Sequence, residues 1–215
     1  MALPSLTAEN LISLFQSWKE LFAEQRDFLI ALDGKVGDSD LGITMSKAFA
    51  AAAETLAAEG PEGGISKLLR SAGATMARTA PSTMGTLTAS GFLRASKAVE
   101  GMSELRAAEM AAFWRAFRDA IAERGKAKVG DKTVLDVLDP IVTTLEQQAQ
   151  LGASLDDALN VTAEAARDAL ERTKGLLAQH GKAAAFQEKT IGLQDAGATV
   201  AYFLISRLAD FVRQA

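Results

Sequence analysis

The sequence predicts an all-α protein folded as a single domain over residues 1–215. Three observations carry this reading. Apolar residues recur at spacings of three and four along most of the chain. Alanine is very frequent, whereas prolines number four and aromatic residues make up only 6%, a balance that favours helix nearly everywhere. No segment alternates apolar and polar residues over the length of a convincing strand.

The first helix is expected from Thr7, a suitable N-cap, to about Asp33, with Leu11, Leu14, Phe15, Trp18, Leu21, Phe22, Phe28 and Leu29 on its core face. That length exceeds the usual globular helix, so a break is expected near Lys19 or Gln25. An acidic loop follows, Asp33-Gly34-Lys35-Val36-Gly37-Asp38-Ser39-Asp40. The second helix runs from about Leu41 to Ala58 and stops at Gly60-Pro61. A third covers about Ile65 to Arg78, and a fourth starts with Pro81 in its first turn and ends at Gly101. The fifth opens at Ser103 and carries Phe113, Trp114 and Phe117 to Arg124. Asp131 is placed as N-cap of the sixth, from about Thr133 to Gln150, with a kink at Pro140. The seventh extends to about His180, and the last covers Thr199 to Val212 after an irregular stretch at 181–198.

Composition excludes several function classes. A net charge of −4 without a Lys/Arg block argues against nucleic acid as a partner. The N-terminus has no basic and apolar leader pattern, and no run approaches the roughly 20 apolar residues of a membrane span. With zero cysteines there are no disulfides, zinc-thiolate sites or thiol nucleophiles, in keeping with a cytoplasmic protein. His180 is the single histidine, which rules out multi-histidine metal sites; at a helix C-terminus it has an ordinary electrostatic role. Neither of the two commonest glycine-rich nucleotide signatures is present.

What remains is a set of special loops. Asp33, Asp38 and Asp40 fall within eight residues, where mutual repulsion is offset only if something positive lies between them. Hard divalent cations suit such oxygen ligands, and the helix start that follows suits phosphate oxygens. The alternative is that Asp38 or Asp40 is a plain N-cap. Similarly, Ser82 and Thr83 are either caps or phosphate ligands. In an up-and-down helical array, the loops at 33–42, 81–85, 125–132 and 181–198 follow the first, third, fifth and seventh helices. They would therefore meet at one end.

Three motifs resemble the nucleotide-binding (L) subunit of bacterial dihydroxyacetone kinases and the matching C-terminal domain of single-chain dihydroxyacetone kinases. They are Leu32-Asp33-x-x-x-Gly37-Asp38-x-Asp40-x-Gly42; Arg124-Gly125-Lys126-Ala127-x-x-Gly130-Asp131-Lys132-Thr133-x-x-Asp136; and Ile191-Gly192-x-Gln194-Asp195-x-Gly197-Ala198-Thr199. The resemblance spans essentially the whole chain. It implies an antiparallel barrel of about eight helices, with ADP or ATP held by loops at one end. It implies two Mg2+ ions on Asp33, Asp38 and Asp40, and phosphate contacts on Leu41, Gly42, Ile43 and Thr44 and on the turn Ser82-Thr83-Met84. It lines the nucleoside with Gly125 and Val134, and adds contacts from Lys182, Asp195, Ala196 and Gly197.

The implied reaction is phosphoryl transfer to a short keto-sugar, dihydroxyacetone or erythrulose, held on a separate substrate-binding subunit. ATP is the expected donor. The alternatives are a bound ADP recharged by a phosphotransferase-system phosphoprotein, or a non-catalytic nucleotide-binding regulator. The chain departs from the family pattern at three places. Leu41 replaces a usual histidine, Pro81-Ser82-Thr83-Met84-Gly85 replaces a glycine-rich turn, and Leu193-Gln194-Asp195-Ala196-Gly197 replaces a common His-Gln-Asp-Pro-Gly.

Overall fold

Thr7 caps the first helix as its sequence position suggests. Its hydroxyl accepts from the Asn10 N–H while the Asn10 side chain reaches back to the Thr7 backbone, so two of the helix's unpaired donors are satisfied at once. The computed structural model describes residues 2–214. Helix α1 (Ala8–Glu24) breaks at Gln25, and α2 (Arg26–Asp33) continues to the acidic loop. Then follow α3 (Leu41–Glu59), α4 (Gly64–Thr79), α5 (Thr83–Ala98), α6 (Ala107–Gly125), α7 (Leu135–Gln150), α8 (Leu155–Arg172) and α9 (Ala196–Gln214). With α1 and α2 taken as one bent helix, this is the expected antiparallel set.

Each helix packs on the next around a ring, α1 on α3, α3 on α4 and so on to α8 on α9, and α9 closes against α1. The closure is pinned inside by Trp18, whose Nε1 donates to the Leu204 carbonyl at 3.1 Å. Aromatic side chains fill one half of the interior. Phe22 stacks on Phe49 at 4.5 Å between centroids, and Phe92 meets Phe15 at 5.3 Å and Phe117 at 5.1 Å, linking α1, α3, α5 and α6. Removing such a buried ring costs about 3–5 kcal/mol. Val137, Leu138, Ile141 and Leu145 of α7 and the inward faces of α8 and α9 fill the other half. Close approach decides one glycine: a Cβ on Gly42 would lie 2.1 Å from the Arg26 carbonyl, so only glycine lets α3 start against α2.

Several expected boundaries move. Ser103 does not open α6; Leu6–Thr7 (β1) and Glu104–Leu105 (β2) instead pair as a two-residue antiparallel clip, and α6 starts behind it. Pro81 lies before the helix rather than in its first turn, because Ser82 is the N-cap and its Oγ accepts the Gly85 N–H at 3.1 Å. Helix α7 runs through Pro140, and its cap is not Asp131. Helix α8 ends at Arg172, well before His180, in a 3-10 turn at Thr173–Gly175; further 3-10 turns, broken at Gln187, occupy Ala183–Thr190, and α9 starts at Ala196. No helix among the described residues is long and apolar enough to cross a membrane.

Candidate functional site

The connections after α2, α4, α6 and α8 meet at one end of the barrel and line a cleft of about 880 Å³. Helices α3, α5, α7 and α9 all begin there. Their N-terminal N–H groups and dipoles give the cleft a positive lining suited to an anion.

Asp33 ends α2, and its carboxylate turns over the start of α3. Oδ2 accepts from the N–H of Asp40 at 3.0 Å and of Leu41 at 3.4 Å, so the α3 N-terminus is capped from the preceding helix. Asp40 occupies the N-cap position itself but makes no side-chain cap bond. Glycine is needed at position 37, since a Cβ there would stand 2.7 Å from the Asp33 carbonyl oxygen as well as against its carboxylate. The loop thus wraps Asp33 closely and brings one carboxylate oxygen each from Asp33, Asp38 and Asp40 within 4.8 Å of one another. Burial first, and then the negative charge of Asp33, raise the pKa of Asp40 above its ordinary value. Three clustered hard oxygens with exposed faces fit a divalent cation such as Mg2+, which keeps part of its water shell and takes only a few carboxylates. From the opposite wall, the Lys182 ammonium pairs with Asp38.

Ser82, Thr83 and Met84 form the second wall at the start of α5, joined by Thr86 and Leu87. Arg124, Gly125 and Ala127 come from the end of α6, where Lys126 takes a left-handed turn with φ of 58°. The next loop is organised by a buried carboxylate that sequence reasoning passed over. Asp136, in the first turn of α7, accepts the Gly130 N–H at 2.6 Å and the Thr133 N–H at 2.7 Å and so ties the loop to the helix start. Asp131 instead accepts the Lys128 N–H at 2.9 Å and pairs with His180 Nε2 at 2.9 Å. The Lys128 N–H, and then the imidazole, hold its pKa below the usual carboxylate value. His180 therefore leaves its expected helix end and lines the cleft.

The fourth wall is the segment between α8 and α9. Lys132 is 3% exposed, and its ammonium sits among the carbonyls of Thr173, Thr190 and Leu193, each at 2.7 Å, and of Leu176 at 3.1 Å. Asp195 follows at the start of α9, its Oδ1 accepting the Ala198 N–H at 2.6 Å. Its carboxyl keeps some surface toward the cleft, yet desolvation by the packed protein around it pushes its pKa up to about 6, against the opposing effect of the Ala198 and Gly197 N–H groups and Lys132.

Of the residues singled out from sequence, Asp33, Asp38, Asp40, Leu41, Ser82, Thr83, Met84, Gly125, Val134, Lys182, Asp195, Ala196 and Gly197 all line this cleft. Gly42, Ile43 and Thr44 do not. Gly42 is packed under α2, Ile43 points to solvent at 49% exposure, and Thr44 is buried. Within the first turn of α3 the helix already rotates these positions off the cleft. Lys132 and Asp136 stood inside a quoted motif without an assigned role. The partners of Lys132 lie 41 to 61 positions away, whereas those of Asp136, the Gly130 and Thr133 N–H groups, are local.

Residues 35–210 match the DAK2 domain family. The chain is 31% identical over 205 residues to the ADP-binding subunit of the PEP-dependent dihydroxyacetone kinase of Escherichia coli strain K12, covering 95% of this chain and 97% of that one. It is also 31% identical over 199 residues to the D-erythrulose kinase of Mycolicibacterium smegmatis, covering 92% of this chain but 34% of that longer one. Among solved structures, the native dihydroxyacetone kinase of C. freundii superposes with a TM-score of 0.73 at 25% identity, over 98% of this chain and 35% of the other.

Proposed function

The chain belongs to the DAK2 domain family, and from that premise we propose that it is the nucleotide-binding subunit of a dihydroxyacetone kinase-like enzyme. It would hold ADP or ATP with Mg2+ in the cleft and take part in phosphoryl transfer to a short keto-sugar, dihydroxyacetone or erythrulose, carried on a partner subunit. The single observation that carries this reading is the meeting, at one barrel end, of three ligand-spaced carboxylates and four helix N-termini.

In this reading Asp33, Asp38 and Asp40 hold the metal side, two ions being the expected count. The α3 and α5 starts with Ser82 and Thr83 face the phosphates, and Gly125, Val134, Asp195, Ala196 and Gly197 bound the nucleoside. Asp195 Oδ1, Met84 and Val134 crowd Gly197, at 3.3, 3.4 and 3.6 Å from where its Cβ would stand, so the floor between the α5 and α9 starts is narrow. Magnesium, when bound, neutralises phosphate charge and orients the phosphoryl group in flight. The protein contributes positioning. Asp33 both offers a ligand oxygen and, through the Asp40 and Leu41 N–H groups, sets the α3 N-terminus against the phosphates. Lys182 supplies a mobile positive charge that can pass from Asp38 to a phosphate oxygen. Leu41, buried where relatives of this kind commonly carry histidine, adds no donor.

The phosphate source has two readings. ATP is one; the other, favoured by the PEP-dependent E. coli relative that this chain matches along nearly its whole length, is a bound ADP recharged by a phosphotransferase phosphoprotein. Mixing the protein with a substrate-binding subunit and a keto-sugar decides between them. Product formed with ATP-Mg in the presence of both subunits supports the first, and product only with PEP and phosphoprotein components supports the second. Nucleotide binding with no product under either condition would leave a regulatory protein.

A further inference from the structure

The neck of the segment between α8 and α9 is closed by one cation. Thr173 and Leu176 stand at its entry, Thr190 and Leu193 at its exit, and their four carbonyl oxygens converge on the Lys132 ammonium at 2.7 to 3.1 Å. An ammonium has three protons, so four acceptors at these distances share them as ligands around an ion. The remaining ties across the neck are neutral hydrogen bonds, among them that from the Asp195 N–H to Thr173 Oγ1 at 3.1 Å. The Gly192 N–H donates to the Lys174 carbonyl at 2.7 Å, the Ala178 N–H to Thr190 Oγ1 at 3.2 Å, and the Gln179 N–H to the Asp131 carbonyl at 3.0 Å.

Lys132 reaches this place at an energetic cost, with its backbone left-handed at φ of 58° and its side chain almost wholly buried. A non-glycine residue keeps such a conformation only where its surroundings determine it. Beyond the neck, the loop carries His180, Gly181, Lys182 and Ala183 to the cleft, and Lys182 meets Asp38 there.

We propose that the Lys132 ammonium is a tethered monovalent cation, whose carbonyl cage fixes the 173–193 segment as a wall of the nucleotide site. Lys132 is thus a positioning residue that acts through Lys182 and Asp195. Carbonyl oxygens can replace the hydration shell of a large monovalent ion, and these spacings are far wider than the roughly 2.0–2.1 Å that Mg2+ requires. The cage therefore takes ammonium or K+ and rejects the metal of the acidic loop. This inference rests on the nucleotide reading above for its effect on binding, but not for the cage itself.

The test removes the tether and offers the ion free. Mg-ADP affinity of the full chain is measured for wild type, Lys132→Ala and Lys132→Met in tetramethylammonium, Na+, K+ and ammonium salts at equal ionic strength. Wild type is expected to be indifferent to the cation. Lys132→Ala is expected to bind about tenfold or more weakly in tetramethylammonium and to recover most of that loss in K+ or ammonium, whereas Lys132→Met, whose side chain occupies the cage, stays weak in every salt. Unchanged affinity in Lys132→Ala, or a loss that no cation repairs, would overturn the proposal. Should the variants not fold, the wild type alone answers through 15N-labelled lysine side chains. One ammonium resonance protected from water exchange at neutral pH supports the cage, and its absence overturns it. A wild type that binds no Mg-ADP yet shows this resonance refutes the nucleotide reading and leaves the cage standing.

Discussion

Lys132 and Lys182 both face the cleft, yet their ammonium groups live in opposite surroundings. Lys132 is shut among backbone carbonyls, and desolvation lowers its pKa while the charges of Asp195 and Asp136 partly restore it. Lys182 has a side chain 64% exposed and reaches across open space to Asp38, whose own side chain is 38% exposed. The first lysine completes a piece of structure. The second visits a cluster of like charges that the fold has gathered without balancing. One wall of the cleft therefore carries its own cation, and the other holds the acidic cluster proposed above to take one from solution.

If that contrast is right, the largest effect on stability comes from the buried lysine. Lys132→Met leaves carbonyls buried without a donor, and an unpaired buried group costs about 1–3 kcal/mol. Denaturant titration should show a loss of that size, and a change within error would dissolve the distinction between the two lysines. Asp33→Ala comes next, because it removes the cap of α3. A loss of about 1 kcal/mol is expected in metal-free buffer, reduced by the relief of repulsion with Asp40. Equal stability with and without Asp33 would mean that the capping bonds carry no weight.

Asp195 sharpens the comparison through pH. Its folded pKa, about 6, is raised above the ordinary 3.8, so the folded state holds a proton that the unfolded chain has released. The contribution of this group is thus full below about pH 4 and is lost as pH rises toward and through 6. Desolvation drives the shift, the Ala198 N–H and the Lys132 charge oppose it, and the Asp136 charge adds to it. Relative to wild type, Asp195→Asn should gain stability steadily between pH 4 and 6.5, as read from paired unfolding curves; a pH-independent difference would show that the carboxyl is not desolvated as described. The smallest effect belongs to Lys182→Ala. An exposed ion pair is worth about 0–1 kcal/mol, so melting should scarcely move while nucleotide affinity falls.

The same contrast explains what could be read from residues alone. Helix identity and order were legible because the core positions repeat at helical spacing, and Phe15, Phe22, Trp114 and Phe117 are buried where that periodicity puts them. Parity then brought the four loops to one end without any knowledge of contacts. The acidic loop was legible too, since crowding Asp33, Asp38 and Asp40 is a local act visible in eight residues. Lys132 was not, because its partners lie 41 to 61 positions away and are backbone carbonyls, which any residue type supplies. His180 misled for a related reason. Its neighbour Gly181 looks like a helix stop, but α8 has already ended at Arg172, and the imidazole is claimed by Asp131 from 49 positions away.

The claim that one wall supplies its own cation while the other awaits one is tested most directly by calorimetry of ADP binding, with and without Mg2+, on wild type and on Asp38→Ala combined with Asp40→Ala. The account predicts tight binding only for wild type with Mg2+, and a loss of about 100-fold or more in the variant, which keeps or exceeds wild-type melting in metal-free buffer. Equal ADP binding by the two proteins, indifferent to Mg2+, would contradict it.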